Sequence, residues 1–269
     1  MKSVLLAVLV LGVLGGIFGA LLSFASKIFH VEKDPKEEQV RACLAGANCG
    51  GCGFPGCDGY AAAVAAGKAP TNKCVAGGSE TAAKVAEVMG LAAVDVEKMV
   101  AFVPCSGCDG VAEKRFNYSG PQTCRAAMLF GGESSKICTF ACVGLGDCTK
   151  ACPFDSIHIV NGVAKVDRST CVGCGTCVDV CPKSIIKLLP AKQIVAPACS
   201  NKDKGAAVMK FCSVGCIGCM KCQRECPADA ITVTDNLASV DASKCVGCGH
   251  CADVCPRHII KYWGGNGNV

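Results

Sequence analysis

Residues 171–182 read Cys-Val-Gly-Cys-Gly-Thr-Cys-Val-Asp-Val-Cys-Pro, and the fold turns on this stretch. Cys171, Cys174, Cys177 and Cys181 follow the spacing C-x2-C-x2-C-x3-C, with Pro182 directly after. The same spacing returns at Cys216, Cys219, Cys222, Cys226 with Pro227, and at Cys245, Cys248, Cys251, Cys255 with Pro256. A fourth run, Cys138-x3-Cys142-x5-Cys148-x3-Cys152-Pro153, is imperfect. Thiolates grouped in fours can converge on one point, as a [4Fe-4S] cube requires. The proline lacks an N–H and fixes φ, so it turns the chain away from the site. A four-cysteine zinc site uses the same ligands, but three matching runs in paired register point to iron–sulfur.

The runs form an internal repeat. Cys152 to Cys171 and Cys226 to Cys245 are both nineteen positions apart, and the text between them matches from Asp155 and Asp229 onward. Alternating apolar residues predict short strands over Ile157–Val160, Ala164–Val166, Ile231–Val233 and Ala238–Val240. Turns are expected at Asn161-Gly162 and Asp235-Asn236. The expected class is α+β, with two tandem two-cluster units resembling bacterial ferredoxin domains. In such domains the fourth cysteine of each run serves the other cluster. The crossover predicts four ligand sets: Cys138, Cys142, Cys148 and Cys181; Cys171, Cys174, Cys177 and Cys152; Cys216, Cys219, Cys222 and Cys255; Cys245, Cys248, Cys251 and Cys226. Leu145 stands where Cys219 stands in the other unit, so Cys138 is the expected substitute. Without it, three ligands would leave a three-iron cluster.

Upstream, Cys49-x2-Cys52-x4-Cys57 lies in Asn-Cys-Gly-Gly-Cys-Gly-Phe-Pro-Gly-Cys-Asp-Gly-Tyr, and Cys74 follows seventeen positions later. Glycines at 50, 51, 53 and 56 let the backbone wrap tightly and aim amides at sulfur. This group is a fifth candidate cube, with zinc again the alternative on the residues alone. A helix is expected after it, capped by Ser79 with Glu80 and carrying Ala82, Val85, Val88 and Leu91 on one face.

No charged residue lies between Lys2 and Lys27, and the run from Val4 to about Ala25 is long enough to span a bilayer. Gly12 with Gly16, and Gly15 with Gly19, form overlapping G-x-x-x-G pairs suited to helix packing in lipid. A signal peptide would have a shorter apolar region and a clean A-x-A site, so a membrane anchor is the better reading. Lys27, Lys33, Lys36 and Arg41 outnumber the positive charges before the helix, which predicts a cytoplasmic C-terminal body. That compartment is reducing, so free thiols can serve as ligands there. The expected organisation is a transmembrane anchor over 1–27, a small Fe–S domain over 28–95, a cysteine-containing linker over 96–137, one ferredoxin-like unit over 138–190, a linker over 191–211 and a second unit over 212–269.

The chain has 269 residues, of which 26 are Cys and only 5% aromatic. It is too long for a disulfide mini-scaffold and too poor in large side chains for a thick conventional core. Metal binding is then a source of folding energy. A net charge of +5 is modest and does not suggest nucleic acid. There is no G-x-G-x-x-G after a strand and no P-loop; the Gly131-Gly132 pair is too short for a nucleotide loop. His30, His158, His250 and His258 form no catalytic constellation, and no catalytic residue is assigned. Cys43, Cys105, Cys108, Cys124, Cys199 and Cys212 are left over, and Cys105, Cys108 and Cys124 could begin a sixth site.

An N-terminal anchor, the Cys49–Tyr60 text with Cys74, and paired ferredoxin runs together resemble the RnfB family of the Rnf complex, in its long form with two ferredoxin units. The resemblance covers essentially the whole chain. It implies an electron-transfer component of an ion-translocating ferredoxin:NAD+ oxidoreductase in the cell membrane. This component would accept electrons from reduced ferredoxin through [4Fe-4S] clusters, five expected and a sixth possible. The A, C, D, E and G components of the complex are implied partners, with flavin, NAD and Na+ or H+ movement belonging to them. The family's ligands carry onto Cys49, Cys52, Cys57, Cys74 and the ferredoxin-type cysteines above. Chain order suggests entry at the second unit and exit near the anchor. Lys202, Lys204, Lys210, Lys221 and Arg224 are a candidate docking face for an acidic ferredoxin. Two other readings stand beside this one: a related membrane complex that reduces an iron–sulfur transcription sensor, and a zinc-binding or thiol-storage protein, against which the three ferredoxin runs argue.

Overall fold

A computed structural model describes residues 2–28, 34–131 and 134–263. Met1, His30, Lys33 and Gly132 lie outside the described residues. The chain starts with α1 (Lys2–Ile28), 27 residues long. At about 1.5 Å per residue it exceeds the roughly 30 Å of a bilayer's hydrocarbon core. Leu9, Leu11, Phe18, Leu22 and Phe24 are all exposed along it. Among the described residues the helix therefore buries no apolar face, unlike the core helix of a soluble domain. It is the one helix among them long and apolar enough to cross a membrane.

A three-helix unit follows: α2 (Pro35–Cys43), α3 (Gly56–Ala65) and α4 (Gly78–Met89). Asp34 caps α2 by accepting from the Lys36 amide at 2.9 Å, and Pro35 fits the first turn, where its missing N–H costs nothing. Val40, Tyr60, Ala61, Val64 and Val85 close the core of this unit. The Tyr60 hydroxyl donates to the Pro70 carbonyl (2.7 Å) and accepts from the Lys73 amide (3.1 Å), which ties down the loop leading to Cys74. The expected cap at Ser79 is displaced. The helix starts two residues earlier, with Gly77 in the cap position, where Thr81 fills the space a Cβ would need. It ends at Gly90 in the left-handed conformation (φ 66°), and Leu91 lies exposed beyond it.

Two similar α+β units occupy the remainder. The first contains β1 (Met99–Phe102), α5 (Cys124–Gly131), α6 (Asp147–Ala151), β2 (Ile157–Val160), β3 (Val163–Val166), α7 (Thr176–Asp179) and β4 (Lys187–Pro190). The second contains β5 (Val195–Pro197), α8 (Gly205–Phe211), α9 (Lys221–Arg224), β6 (Ile231–Thr234), β7 (Leu237–Val240), α10 (His250–Asp253) and β8 (Ile260–Tyr262). In each, an antiparallel hairpin (β2–β3, β6–β7) turns through two residues of positive φ: Asn161 and Gly162, and Asp235 and Asn236. That is the hairpin turn chemistry expected at these sites. A second antiparallel pair joins the two ends of each unit, β1 with β4 and β5 with β8. The segments expected as linkers thus supply β1 and β5, because closing each unit needs a strand from outside its cysteine runs.

The cysteines are part of the core. Val100, Ile157, Val163, Ile185 and Ile186 pack with Cys142, Cys148, Cys171 and Cys177 in the first unit. Val195, Ile231 and Ile259 pack with Cys216, Cys222, Cys251 and Cys255 in the second. The units are joined by Arg168, which donates to the Ala191 and Gln193 carbonyls (both 3.1 Å) and lies 4.4 Å from the Trp263 ring centre. Trp263 in turn meets Phe102 edge-on at 5.3 Å.

Candidate iron–sulfur centres

The loop before α3 bends through glycines at positive φ, Gly50 (73°), Gly53 (83°) and Gly56 (81°). Its tight bends keep Cys49, Cys52 and Cys57 within one short stretch of folded backbone. The Asn48 Oδ1 accepts from the Cys57 amide at 2.8 Å and fixes the loop's end. Cys52, Cys57 and the buried Cys74 all border the same apolar cluster. Burial pushes the Cys49 thiol up, and its neighbours Cys174 and Cys52 push it further.

In the first unit, Cys152, Cys171, Cys174 and Cys177 line one cavity with Ile157 and Val166. The Ala101 amide points at Cys171 Sγ and the Ser156 amide at Cys152 Sγ, both at 3.4 Å. Burial, reinforced by Cys171, Cys174, Cys148 and Cys152, pushes the Cys177 thiol up to about 12. In the second unit, Cys216, Cys219, Cys222 and Cys255 line a cavity with Val233 and Ile259. Cys226, Cys245 and Cys248 surround Cys251, whose thiol is pushed to about 11 by burial first and these neighbours next. The Ala230 amide points at Cys226 Sγ (3.4 Å), repeating the Ser156 contact of the first unit.

The remaining cavity of the first unit differs from the expected set. It is lined by Cys124, Cys142, Cys148 and Cys181, and not by Cys138. Asp147 is the cause: its carboxylate accepts from the amides of Cys124 (3.0 Å) and Arg125 (3.1 Å) at the start of α5. This draws Cys124 to Cys148, whose thiol is pushed to about 11 by burial, then by Cys142 and Cys124. Cys138 instead lines a separate cavity with Cys105, Cys199 and Cys212. Spacing in the sequence could not reveal this swap. The only hint was that Cys124 precedes Cys138 by nearly the interval at which Cys199 precedes Cys212.

These residues fit clusters better than single ions. Among the described residues, no three Cys, His, Asp or Glu side chains are grouped to hold one metal ion. A tetrahedral zinc would draw its thiolates together on bonds of about 2.3 Å. The cysteines instead stand apart around cavities of about 330 to 370 Å³, part of that space open to solvent.

Comparison with known proteins agrees. Residues 134–182 match a family described as "4Fe-4S dicluster domain", and a second family of the same description matches residues 170–230 and 215–259. Residues 44–76 match a family described as "Putative Fe-S cluster". The fold and its cysteine sites thus define an iron–sulfur protein of tandem ferredoxin-type units, a class suited to electron transfer. The chain is 46% identical to the B component of the Na(+)-translocating ferredoxin:NAD(+) oxidoreductase complex of Acetobacterium woodii, over 91% of this chain and 73% of that one. It is 40% identical to the B component of the ion-translocating oxidoreductase complex of Methanosarcina acetivorans, over 91% and 93% of the two chains. The B component of the proton-translocating ferredoxin:NAD(+) oxidoreductase complex of Clostridium ljungdahlii is 42% identical over 90% of this chain and 86% of its own. The chain belongs to this family, the RnfB components of ion-translocating (Rnf) oxidoreductase complexes.

Proposed function

We propose that this chain is the electron-conducting component of a membrane-bound ferredoxin:NAD+ oxidoreductase, taking electrons from reduced ferredoxin and delivering them to the A, C, D, E and G components of the complex. When bound, a [4Fe-4S] cluster supplies one-electron transfer over a tunable range of potential. The protein's part is to hold the sites in series, keep water from most of the cysteines and aim amide N–H groups at sulfur. Five sites follow from the runs and the cavities together: Cys49/Cys52/Cys57/Cys74, Cys152/Cys171/Cys174/Cys177, Cys124/Cys142/Cys148/Cys181, Cys216/Cys219/Cys222/Cys255 and Cys226/Cys245/Cys248/Cys251. The helix α1 is a single-pass anchor with the body in the cytoplasm.

The observation that carries the direction of flow is exposure. Of the 26 cysteines, only Cys219 and Cys248 are exposed, and both lie in the second unit. Lys204, Lys210, Lys221 and Arg224 are exposed in the same unit, while Lys202 is paired with Asp235 at 3.3 Å. A basic rim beside accessible sites suits an acidic donor and speeds its encounter at low salt. At the other end, the Cys49 loop packs on the Cys174 loop and is joined to the anchor through α2.

The test uses the whole complex in vesicles. Reversing charge at Lys204, Lys210 and Lys221 should raise the apparent KM for ferredoxin and flatten its salt dependence; unchanged kinetics would remove the docking face. A Cys52→Ser/Cys57→Ser variant should keep ferredoxin-driven reduction of the second unit, read by EPR, and lose NAD+ reduction. Persistent NAD+ reduction would overturn the exit. Stoichiometric zinc with little acid-labile sulfide would overturn the reading as a whole.

A further inference from the structure

A cavity of about 450 Å³, part of it open to solvent, differs in chemistry from those lined by four cysteines. It lies where the two ferredoxin-type units meet. Lys165 on β3 and Arg168 just beyond it come from the first unit; Lys261 on β8 and Trp263 come from the second. Among the described residues, no Asp or Glu lines it. Ala101 and Val166 line both this cavity and the one bordered by Cys152, Cys171, Cys174 and Cys177.

Three cations around one space call for a counter-charge. Elsewhere in these units Lys114, Lys192 and Lys202 are paired with Asp109, Glu97 and Asp235. The side chains of Lys165 and Lys261 form no ion pair or hydrogen bond among the described residues. Burial first, and then the nearby Lys165, push the Lys261 ammonium down, and only the Cys108 thiol acts the other way.

Arg168 carries an independent signal. Its Nη2 donates to the Ala191 and Gln193 carbonyls, but its Nη1 is buried without a partner. The guanidinium is held over the Trp263 ring, which Phe102 braces edge-on, so it is in place before any ligand arrives. Ser106 Oγ is also buried and unpartnered, and Ser106 lines the same cavity. Ser106 borders the four-cysteine cavity as well, whereas Arg168 does not. Buried donors without an acceptor are costly and rare, so two beside one cationic cavity point to a missing acceptor.

The donor set indicates which acceptor. Two ammonium groups, one guanidinium N–H and a hydroxyl exceed what a single carboxylate can use. A phosphate group carries up to about two negative charges at neutral pH and three acceptor oxygens. Lysine and arginine are the residues that bind it. We propose that Lys165, Arg168, Lys261 and Ser106 bind the phosphate group of a free small molecule, inorganic phosphate or a nucleotide, at the seam between the two units. The site goes beyond the electron-transfer reading. Its effect on electron flow rests on that reading: negative charge beside the Cys171 site disfavours an added electron and lowers the potential of a cluster there.

The test is calorimetric titration of the full chain with its clusters loaded. The probes are inorganic phosphate, ATP and vesicles of phosphatidic acid in phosphatidylcholine, with chloride at matched ionic strength as the blank. One saturable site per chain for inorganic phosphate or ATP is expected. Lys165→Gln/Lys261→Gln should weaken it at least about tenfold, the loss expected for hydrogen bonds to charged groups, and keep the iron count. Lys165→Arg/Lys261→Arg should retain most of the affinity. Should the double Gln variant lose iron, Lys261→Gln alone carries the same comparison. Phosphate also stabilises proteins by exclusion from their surface. That effect is shared by all variants, so only the excess stabilisation of the unmodified chain counts. No saturation beyond the chloride blank, or equal affinity in the Gln variant, overturns the site. Binding to the vesicles alone overturns the free ligand in favour of a lipid headgroup. In a redox titration followed by EPR, phosphate should lower one cluster's midpoint in the unmodified chain and leave it unmoved in the Gln variant. Binding without that shift overturns the coupling to electron flow. A chain that binds phosphate but holds zinc without sulfide sinks the electron-transfer reading and spares the site.

Discussion

Gly51 lies directly against Cys174: a Cβ on Gly51 would stand 2.8 Å from the Cys174 carbonyl oxygen and 2.9 Å from its Cα. Two cysteine loops that are far apart in sequence thus meet backbone to backbone. Thr176 Oγ1 adds a bond to the Cys49 carbonyl at 3.4 Å. Only glycine permits this approach, and the approach sets how near the anchor-side site comes to the first unit.

Gly51→Val should therefore push the loops apart while both retain their iron. Overpacking of this kind costs about 1–3 kcal/mol. The expected outcome is an unchanged iron count, a lower melting temperature and slower reduction of the Cys49 site by ferredoxin. Unchanged transfer would show that this contact does not set the rate.

Cys124, and not Cys138, should be the residue whose loss disables the Cys142/Cys148/Cys181 site. Cys124→Ala should yield a three-iron EPR signal from that site. Adding Leu145→Cys to Cys124→Ala should restore four irons there. Leu145 holds the position of Cys219 and sits between Gly144 and Gly146, both at positive φ. A Cys138→Ala variant that gives the same signal would contradict the geometry.

Lys136 is 1% exposed, and its Nζ donates to the carbonyls of Cys142 (3.0 Å) and Gly162 (2.7 Å). It draws the Cys142 and Cys212 thiols down, against the dominant upward push of burial. A positive charge this close favours the reduced, more negative state of a cluster. Lys136→Met should lower the midpoint potential of the neighbouring clusters, measured by redox titration followed by EPR. It should also destabilise the fold by about 1–3 kcal/mol through the unpaired carbonyls. No shift in potential would show that the lysine is structural.

Chelation of iron should leave a chain sensitive to alkali. Burial raises the thiols of Cys148, Cys222 and Cys251 from 9.0 to about 11, and that of Cys177 to about 12. A folded-state value above the unfolded one favours folding while the thiol is protonated. This stability is fully present below about pH 9 and is lost as pH rises through about 11 to 12. The metal-free chain should melt at progressively lower temperature above about pH 9, by circular dichroism, and stay level just below it. The loaded chain, with its thiolates already ligated, should not follow that curve. A flat profile for the metal-free chain would refute the argument.

Much of this protein is legible in one dimension. The hairpins at Ile157–Val166 and Ile231–Val240 follow from local alternation and from turn residues that accept positive φ. The α1 span follows from its length and lack of charge. The ferredoxin-type groupings follow from spacing, because three cysteines within one tight loop have little choice of partner. Such features are local, so the sequence alone determines them.

Tertiary structure decided what lies beyond a loop's reach. Cys138 and Cys142 are one turn apart but face different cavities. Cys124 reaches its cavity because Asp147, distant in sequence, caps the helix that starts there. Cys105 and Cys212 meet because a strand bridge and the packing of α8 bring their segments together, and the Gly51–Cys174 contact exists only once two domains dock. Spacing encodes which cysteines a single loop can gather. Which sulfurs from separate segments share a cavity is set by packing, hydrogen bonds and the room left by glycine.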